Sequence, residues 1–348
     1  LKGNHEMKRN ISVLVSVMLL LMLVIPASVT AQDDAAEVTL FVTEDGAYSV
    51  ALLDGWAATG SEDEGLSVAN SQEALDKFDT DVDPSEGDLA IGLLAVPSEL
   101  VAQLGLDEEA TFVELLEAFL PIALGDSEEP VEVSDVQELD LAGRPAAYAT
   151  VTSDTVEAAY ALYALAPDTI GIGFLGGAPG VIEEQGDLAL QILATARYSQ
   201  PLVETFDDDA LAFNYPEEWL AQGESGIYTI TNDQEALSVD VLSEGQFGIL
   251  AFDLGLLGYT GESVSDVATQ LAALIQEEGQ EYSDPIEVEV GDNIVGIIDM
   301  TTPDTDGNEG GIMVIQSGDE LFGVVFLTAD SEAYQVGLLA LNVLLSME

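Results

Sequence analysis

Histidine and cysteine are all but missing. The single histidine, His5, precedes the first methionine, Met7, and there is no cysteine at all. Zinc sites built from these residues, imidazole general bases, thiol nucleophiles and disulfides are therefore excluded from everything downstream. Positive charge is nearly as scarce: six Lys and Arg stand against 66 Asp and Glu. Beyond residue 31 the cations are Lys77, Arg144 and Arg197 alone. Such a chain has no basic surface for nucleic acid or anionic lipid, and no clusters of cations to clamp phosphates. Yet 48% of the residues are hydrophobic, and they are periodic, which argues for a folded protein rather than a disordered acidic tail.

The start of the chain has the pattern of a secretory leader. Lys8 and Arg9 follow Met7, an apolar run extends from Ile11 to Ile25, and Val29-Thr30-Ala31 ends in small residues. This predicts a signal peptide over 1–31, with Met7 as the true start and cleavage after Ala31. The apolar run is shorter than the roughly 20 residues of a spanning helix. Loss of Lys2, Lys8, Arg9 and Glu6 with the leader removes three cations and one anion, which moves the net charge from −60 to −62. The expected product is secreted or extracytoplasmic, with no membrane insertion after cleavage and with cations as its counterions. Repulsion on that scale suits a saline environment or one rich in divalent ions.

The chain also repeats itself. Trp56 is followed by Asn70-Ser71-Gln72-Glu73-Ala74-Leu75, and Trp219 at almost the same distance by Asn232-Asp233-Gln234-Glu235-Ala236-Leu237. The period suits a whole domain rather than a solenoid unit. Two copies are expected, over 38–199 and 203–348, with both Trp side chains in the core and both blocks at turns.

Within each copy the pattern predicts hairpin-linked strands and two helices. In the first, Thr111-Phe112-Val113-Glu114 fits a capping box, and Phe112, Leu115, Leu116, Phe119 and Leu120 share a helical face. In the second, Val264, Val267, Leu271, Leu274 and Ile275 form the stripe. Alternation in Ile286-Glu287-Val288-Glu289-Val290 marks a strand with one wet face. Strands do not alternate one-for-one with helices, so the expected class is α+β: an antiparallel sheet flanked by two helices, in tandem.

Phe213-Asn214-Tyr215-Pro216-Glu217-Glu218-Trp219 resembles the opening motif of the PsbP-like superfamily, and the order of elements that follows is similar to that family. The first copy keeps Trp56 but lacks Tyr-Pro. The resemblance implies accessory or binding modules that are mostly not enzymes; fold alone does not fix function.

Candidate sites are few. Asp79, Asp81, Asp83, Glu86 and Asp88 begin like a calcium loop, but Pro84 and Ala90 stand where an EF-hand needs Gly and Glu. A solvated acidic loop is the plainer reading, a looser calcium site the sharper one. Asp304, Asp306, Asn308 and Glu309 form a weaker cluster that fits a hairpin turn. Gly171-Ile172-Gly173-Phe174-Leu175-Gly176 matches a dinucleotide fingerprint, yet its apolar residues alternate as a strand, so no cofactor is expected. No carboxylate pair stands out for glycosidase chemistry. The reading is a secreted, acidic, non-catalytic binding or accessory protein for an unidentified extracytoplasmic partner or ligand. Its alternatives are a calcium-dependent surface or matrix protein and a carboxylate-based hydrolase.

Overall fold

The computed structural model describes residues 38–348 except 81, 100, 102–109, 126–130, 167, 209–210, 239–241, 243–245, 260–262, 276–280, 292, 302–308, 319, 329–332 and 348. The expected signal peptide over 1–31, Asp81, Asp304, Asp306 and Asn308 lie outside the described residues. The protein is mixed α+β, with antiparallel sheets and five helices among the described residues. It divides into two compact units, an N-terminal one ending at Tyr198 and a C-terminal one starting at Ser199. Among the described residues no helix is long and apolar enough to cross a membrane.

The N-terminal unit opens with β1 (Val38–Val42), β2 (Tyr48–Leu53), β3 (Ala57–Ser61), β4 (Gly65–Ala69), α1 (Gln72–Asp79), β5 (Leu89–Pro97) and α2 (Phe112–Leu124). It continues with β6 (Glu132–Val133), β7 (Gln137–Leu141), β8 (Arg144–Thr152), β9 (Glu157–Ala166), β10 (Thr169–Gly177), α3 (Val181–Thr195) and β11 (Arg197–Tyr198). The main sheet runs β3-β4-β5-β10-β9-β8, with β6 and β7 both pairing β8. Separately, β2 pairs with β1 and β11.

Alternation assigns the two faces of this sheet. Ala159, Ala161, Tyr163 and Leu165 of β9 pack with Leu89, Ile91 and Leu93 of β5 and with Ile192 and Leu193 of α3. The opposite residues of β9, Ala158, Tyr160 and Leu162, meet Leu115, Leu116 and Leu120 of α2. A strand covered on both faces reads as a nearly unbroken apolar run, as β9 does. Gly171 and Gly173 lie on the α3 side of β10. A Cβ at Gly173 would sit 2.7 Å from Leu193 Cδ2, and one at Gly171 would sit 2.9 Å from the Tyr163 ring. These glycines admit neighbouring side chains within a strand.

Helix ends are set by side chains. Thr111 Oγ1 accepts from the Glu114 amide, and the Thr111 amide donates to the Glu114 carboxylate at 2.9 Å, the reciprocal cap expected from the sequence. Helix α3 starts at Gly180 without a cap of its own. The Glu157 carboxylate takes that place, accepting from the Gly180 and Ile182 amides at 2.8 and 3.0 Å.

The C-terminal unit contains β12 (Leu202–Asp207), β13 (Ala212–Pro216), β14 (Leu220–Glu224), β15 (Ile227–Thr231), a 3₁₀ turn (Glu235–Ser238), β16 (Phe247–Asp253) and α4 (Val264–Ile275). After these come β17 (Glu281–Tyr282), β18 (Ile286–Val290), β19 (Asn293–Thr301), β20 (Glu309–Ser317), β21 (Glu320–Thr328) and α5 (Ala333–Leu345). Its sheet runs β14-β15-β16-β21-β20-β19, with β18 and β17 both pairing β19. Val264, Val267 and Leu271 are buried as expected, whereas Leu274 is 69% exposed. Helix α4 crosses β19 at Gly296, where a Cβ would fall 2.8 Å from the Val264 carbonyl carbon, so backbone lies directly on backbone.

Candidate functional site

The block Asn70 to Leu75, expected at a turn, starts a helix instead. Ser71 Oγ accepts from the Ala74 amide, Gln72 bonds Asp76, and Glu73 pairs with Lys77 one turn on. Asn70 ties the helix entry to the neighbouring strand. Its Oδ1 accepts from the Leu89 amide at the start of β5, and its Nδ2 donates to the Gly87 carbonyl. In the C-terminal unit Asn232 Oδ1 accepts from the Phe247 amide at the start of β16. Each Trp follows a turn in which its own amide bonds a carbonyl three residues back, Leu53 for Trp56 and Pro216 for Trp219. Both side chains are half-buried rather than sealed in the core. Trp56 packs against the α3 side of the sheet, and Trp219 stacks on Phe247 with ring centroids 6.3 Å apart.

Helix α1 forms one wall of a cleft of about 350 Å³ on the N-terminal unit. Phe78, at the end of α1, stacks on Phe174 of β10 with centroids 6.1 Å apart and planes 20° from parallel. Tyr160 meets Phe174 edge-on at 5.3 Å, and Phe119 of α2 meets Tyr160 at 6.1 Å. Phe174 reaches this position because Gly176 beside it has no side chain: a Cβ there would lie 2.7 Å from the Phe174 ring. Val82, Pro84 and Val156 complete the apolar lining, and Lys77, Asp83 and Asp88 bring charge to it. A second groove, about 330 Å³ between α2 and β6, has no aromatic lining.

Lys77, the one lysine beyond residue 31, sits at the cleft with all its protons engaged. Its ammonium lies 2.9 Å from Glu73 Oε1, 2.8 Å from Asp88 Oδ2 and 2.8 Å from Ser85 Oγ. Hydrogen bonds to Asp88 and then Glu73 raise its pKa above the ordinary amine value. Burial pushes the Asp88 carboxyl upward, but the Lys77 ammonium and the Ser85 amide outweigh it and hold the group below the usual range. Asp88 thus contributes stability above its unfolded pKa and loses it only as pH falls through the depressed value. Lys77 contributes below its unfolded pKa and loses that only as pH rises through the raised one, so the link persists across neutral pH.

The acidic residues singled out from the sequence take different places, and Asp81 among them lies outside the described residues. Asp79 ends α1, Asp83 lines the cleft, and Asp88 is bound to Lys77; Glu86 is exposed in the loop between. Among the described residues no three acidic side chains gather closely enough to hold a metal ion. Asp299 of β19 is a carboxyl whose pKa burial raises. The cleft itself is not legible from spacing, since Phe78 and Phe174 are remote in sequence and share no motif.

No protein-family model matches the chain, and no curated protein matches it. Among solved structures the chain has a weak PsbP-like similarity. A cyanobacterial PsbP from Synechocystis sp. PCC 6803 aligns at 9% identity and a TM-score of 0.33, over 48% of this chain and 95% of that one. An immunity protein of the T6SS of Pseudomonas aeruginosa aligns at 10% identity and a TM-score of 0.22, over 89% of this chain and 96% of its own. Superpositions that loose carry no argument about activity.

Proposed function

We propose that this is an exported, non-catalytic binding protein made of two copies of one PsbP-like domain, with the ligand site in the first copy. The observation that carries the binding reading is the cleft at Phe78 and Phe174: an aromatic-lined concavity of about 350 Å³, within the range of small-molecule sites. Three features support duplication. The strand orders β3-β4-β5-β10-β9-β8 and β14-β15-β16-β21-β20-β19 correspond element by element. Asn70 and Asn232 hold the first residue of the matching strands, and the two Trp residues leave equivalent turns. The copies have diverged at the cleft. Phe174 lies opposite Gly92, whereas Val325, at the same point in the order, lies opposite Leu250.

A direct test is to titrate the full two-unit chain with 2-phenylethanol while following methyl NMR signals. Signals of Ala74, Val82 and Val156 should shift in the native protein and stay still in Phe174→Ala. Shifts spread evenly over both units would remove the cleft from consideration. Export has its own test. Material secreted by the native host should begin at Gln32, and N-terminal sequencing that finds Met7 or an earlier residue would sink the secreted assignment.

A further inference from the structure

The charge arrangement around the cleft selects among ligands, an inference that rests on the binding reading above. We propose that the Phe78–Phe174 cleft takes a small hydrophobic amine, an aromatic or branched apolar body carrying one ammonium group. An ammonium has three protons to donate, and those of Lys77 already meet Glu73, Asp88 and Ser85. No donor is left there for an incoming carboxylate or phosphate, so the lysine closes the cleft to anions instead of attracting them. On the same lining, Asp83 is exposed and, among the described residues, has no ion-pair partner. It offers an incoming cation a carboxylate that no described side chain neutralises. Beyond the cleft, a chain of net charge −60 draws cations toward every concave surface and repels anions from it.

The apolar lining sets the other half of the ligand. Val82, Pro84, Val156 and the ring pair leave room for a phenyl-sized body, which a fully hydrated inorganic cation would not fill with apolar contact. Each half contributes: the body through burial, the ammonium through Asp83.

Three probes of one shape separate the possibilities: 2-phenylethylamine, 2-phenylethanol and phenylacetate, each titrated into the full two-unit chain near physiological ionic strength. The amine should bind about tenfold more tightly than phenylacetate, with the alcohol between them. Asp83→Asn, an exposed substitution that leaves the fold unchanged by circular dichroism, should bring the amine close to the alcohol. If the alcohol or phenylacetate binds the native protein as tightly as the amine does, the amine assignment is overturned while the binding site stands. If none of the three binds the native protein, the binding reading itself fails.

Discussion

The melting temperature should climb steadily as sodium chloride is raised from dilute buffer to molar concentration, by on the order of ten degrees. The physical ground is the ratio of six cations to 66 acids, combined with where the three cations beyond residue 31 are. Lys77 is tied to Glu73 and Asp88, and Arg144 and Arg197 turn their guanidinium groups toward backbone carbonyls. The surface carboxylates consequently face one another and solvent ions. The Debye length falls from about 10 Å at 0.1 M to about 3 Å at 1 M, so repulsion between neighbouring carboxylates is cut sharply over that range. Calcium and magnesium chloride at equal ionic strength should act alike if screening is the cause. A specific site would saturate and favour calcium, whose larger shell accepts irregular carboxylate geometry. A melting temperature indifferent to salt would show that the charges are too dispersed to weaken the fold.

The second large effect is expected from Arg144→Met. The Arg144 side chain lies over the Tyr163 ring at 4.8 Å and donates to the carbonyls of Leu141, Ala194 and Ala196. Ala194 and Ala196 lie at the C-terminal end of α3, where carbonyls lack partners within the helix and its dipole favours positive charge. Arg197 donates to the same two carbonyls at 2.7 and 2.8 Å. Burial lowers both guanidinium pKa values, and the Arg144 charge adds to the shift that takes Arg197 to about 9. Two like charges are held together out of water because the helix end needs donors there. Removing Arg144 takes one of two donors from the Ala194 and Ala196 carbonyls and the side-chain donor from that of Leu141, at about 1 kcal/mol for each hydrogen bond lost. A total loss of about 3 kcal/mol should appear as a lower urea midpoint with an unchanged slope. Arg144→Lys should recover little, since one ammonium cannot span three carbonyls and also stack on a ring. A midpoint unmoved by Arg144→Met would mean that Arg197 alone satisfies the end of α3.

The sequence is legible where short-range chemistry encodes the structure. The Thr111–Glu114 cap and the alternation of β18 are complete within a few residues, and both form as their patterns require. Strands β3 and β14 leave no such trace, because Ala-Ala-Thr-Gly-Ser and Leu-Ala-Gln-Gly-Glu lack an apolar alternation. They end their sheets, where a strand is not buried on both faces. Helix α1 looks like a turn in the sequence because Ala74 stands where a capping box would place Glu. Its supporting pairs, Gln72 with Asp76 and Glu73 with Lys77, are individually weak signals. Leu274 fits the period of α4 but lies in its last turn, and there it faces solvent. The acidic run from Asp79 to Asp88 stands out as a group, yet its decisive neighbour is the lysine just before it. No spacing rule pairs Phe78 with Phe174; only the register of β10 against β5 and the open side of Gly176 bring them together.

The inward placement of the cations also governs how the protein meets proteases. An enzyme that cleaves after Lys or Arg has three target bonds beyond residue 31. Lys77–Phe78 lies within α1, and its lysine side chain is 18% exposed. Arg144 is followed by Pro145, whose ring removes the amide such enzymes expect, and Arg197–Tyr198 is paired into β11. Among the described residues, trypsin-like digestion therefore has no readily accessible bond. In a medium that contains such enzymes the folded protein should persist while its unfolded copies are cut, so the scarcity of positive charge expected to weaken the fold at low salt would shield it from one class of degradation.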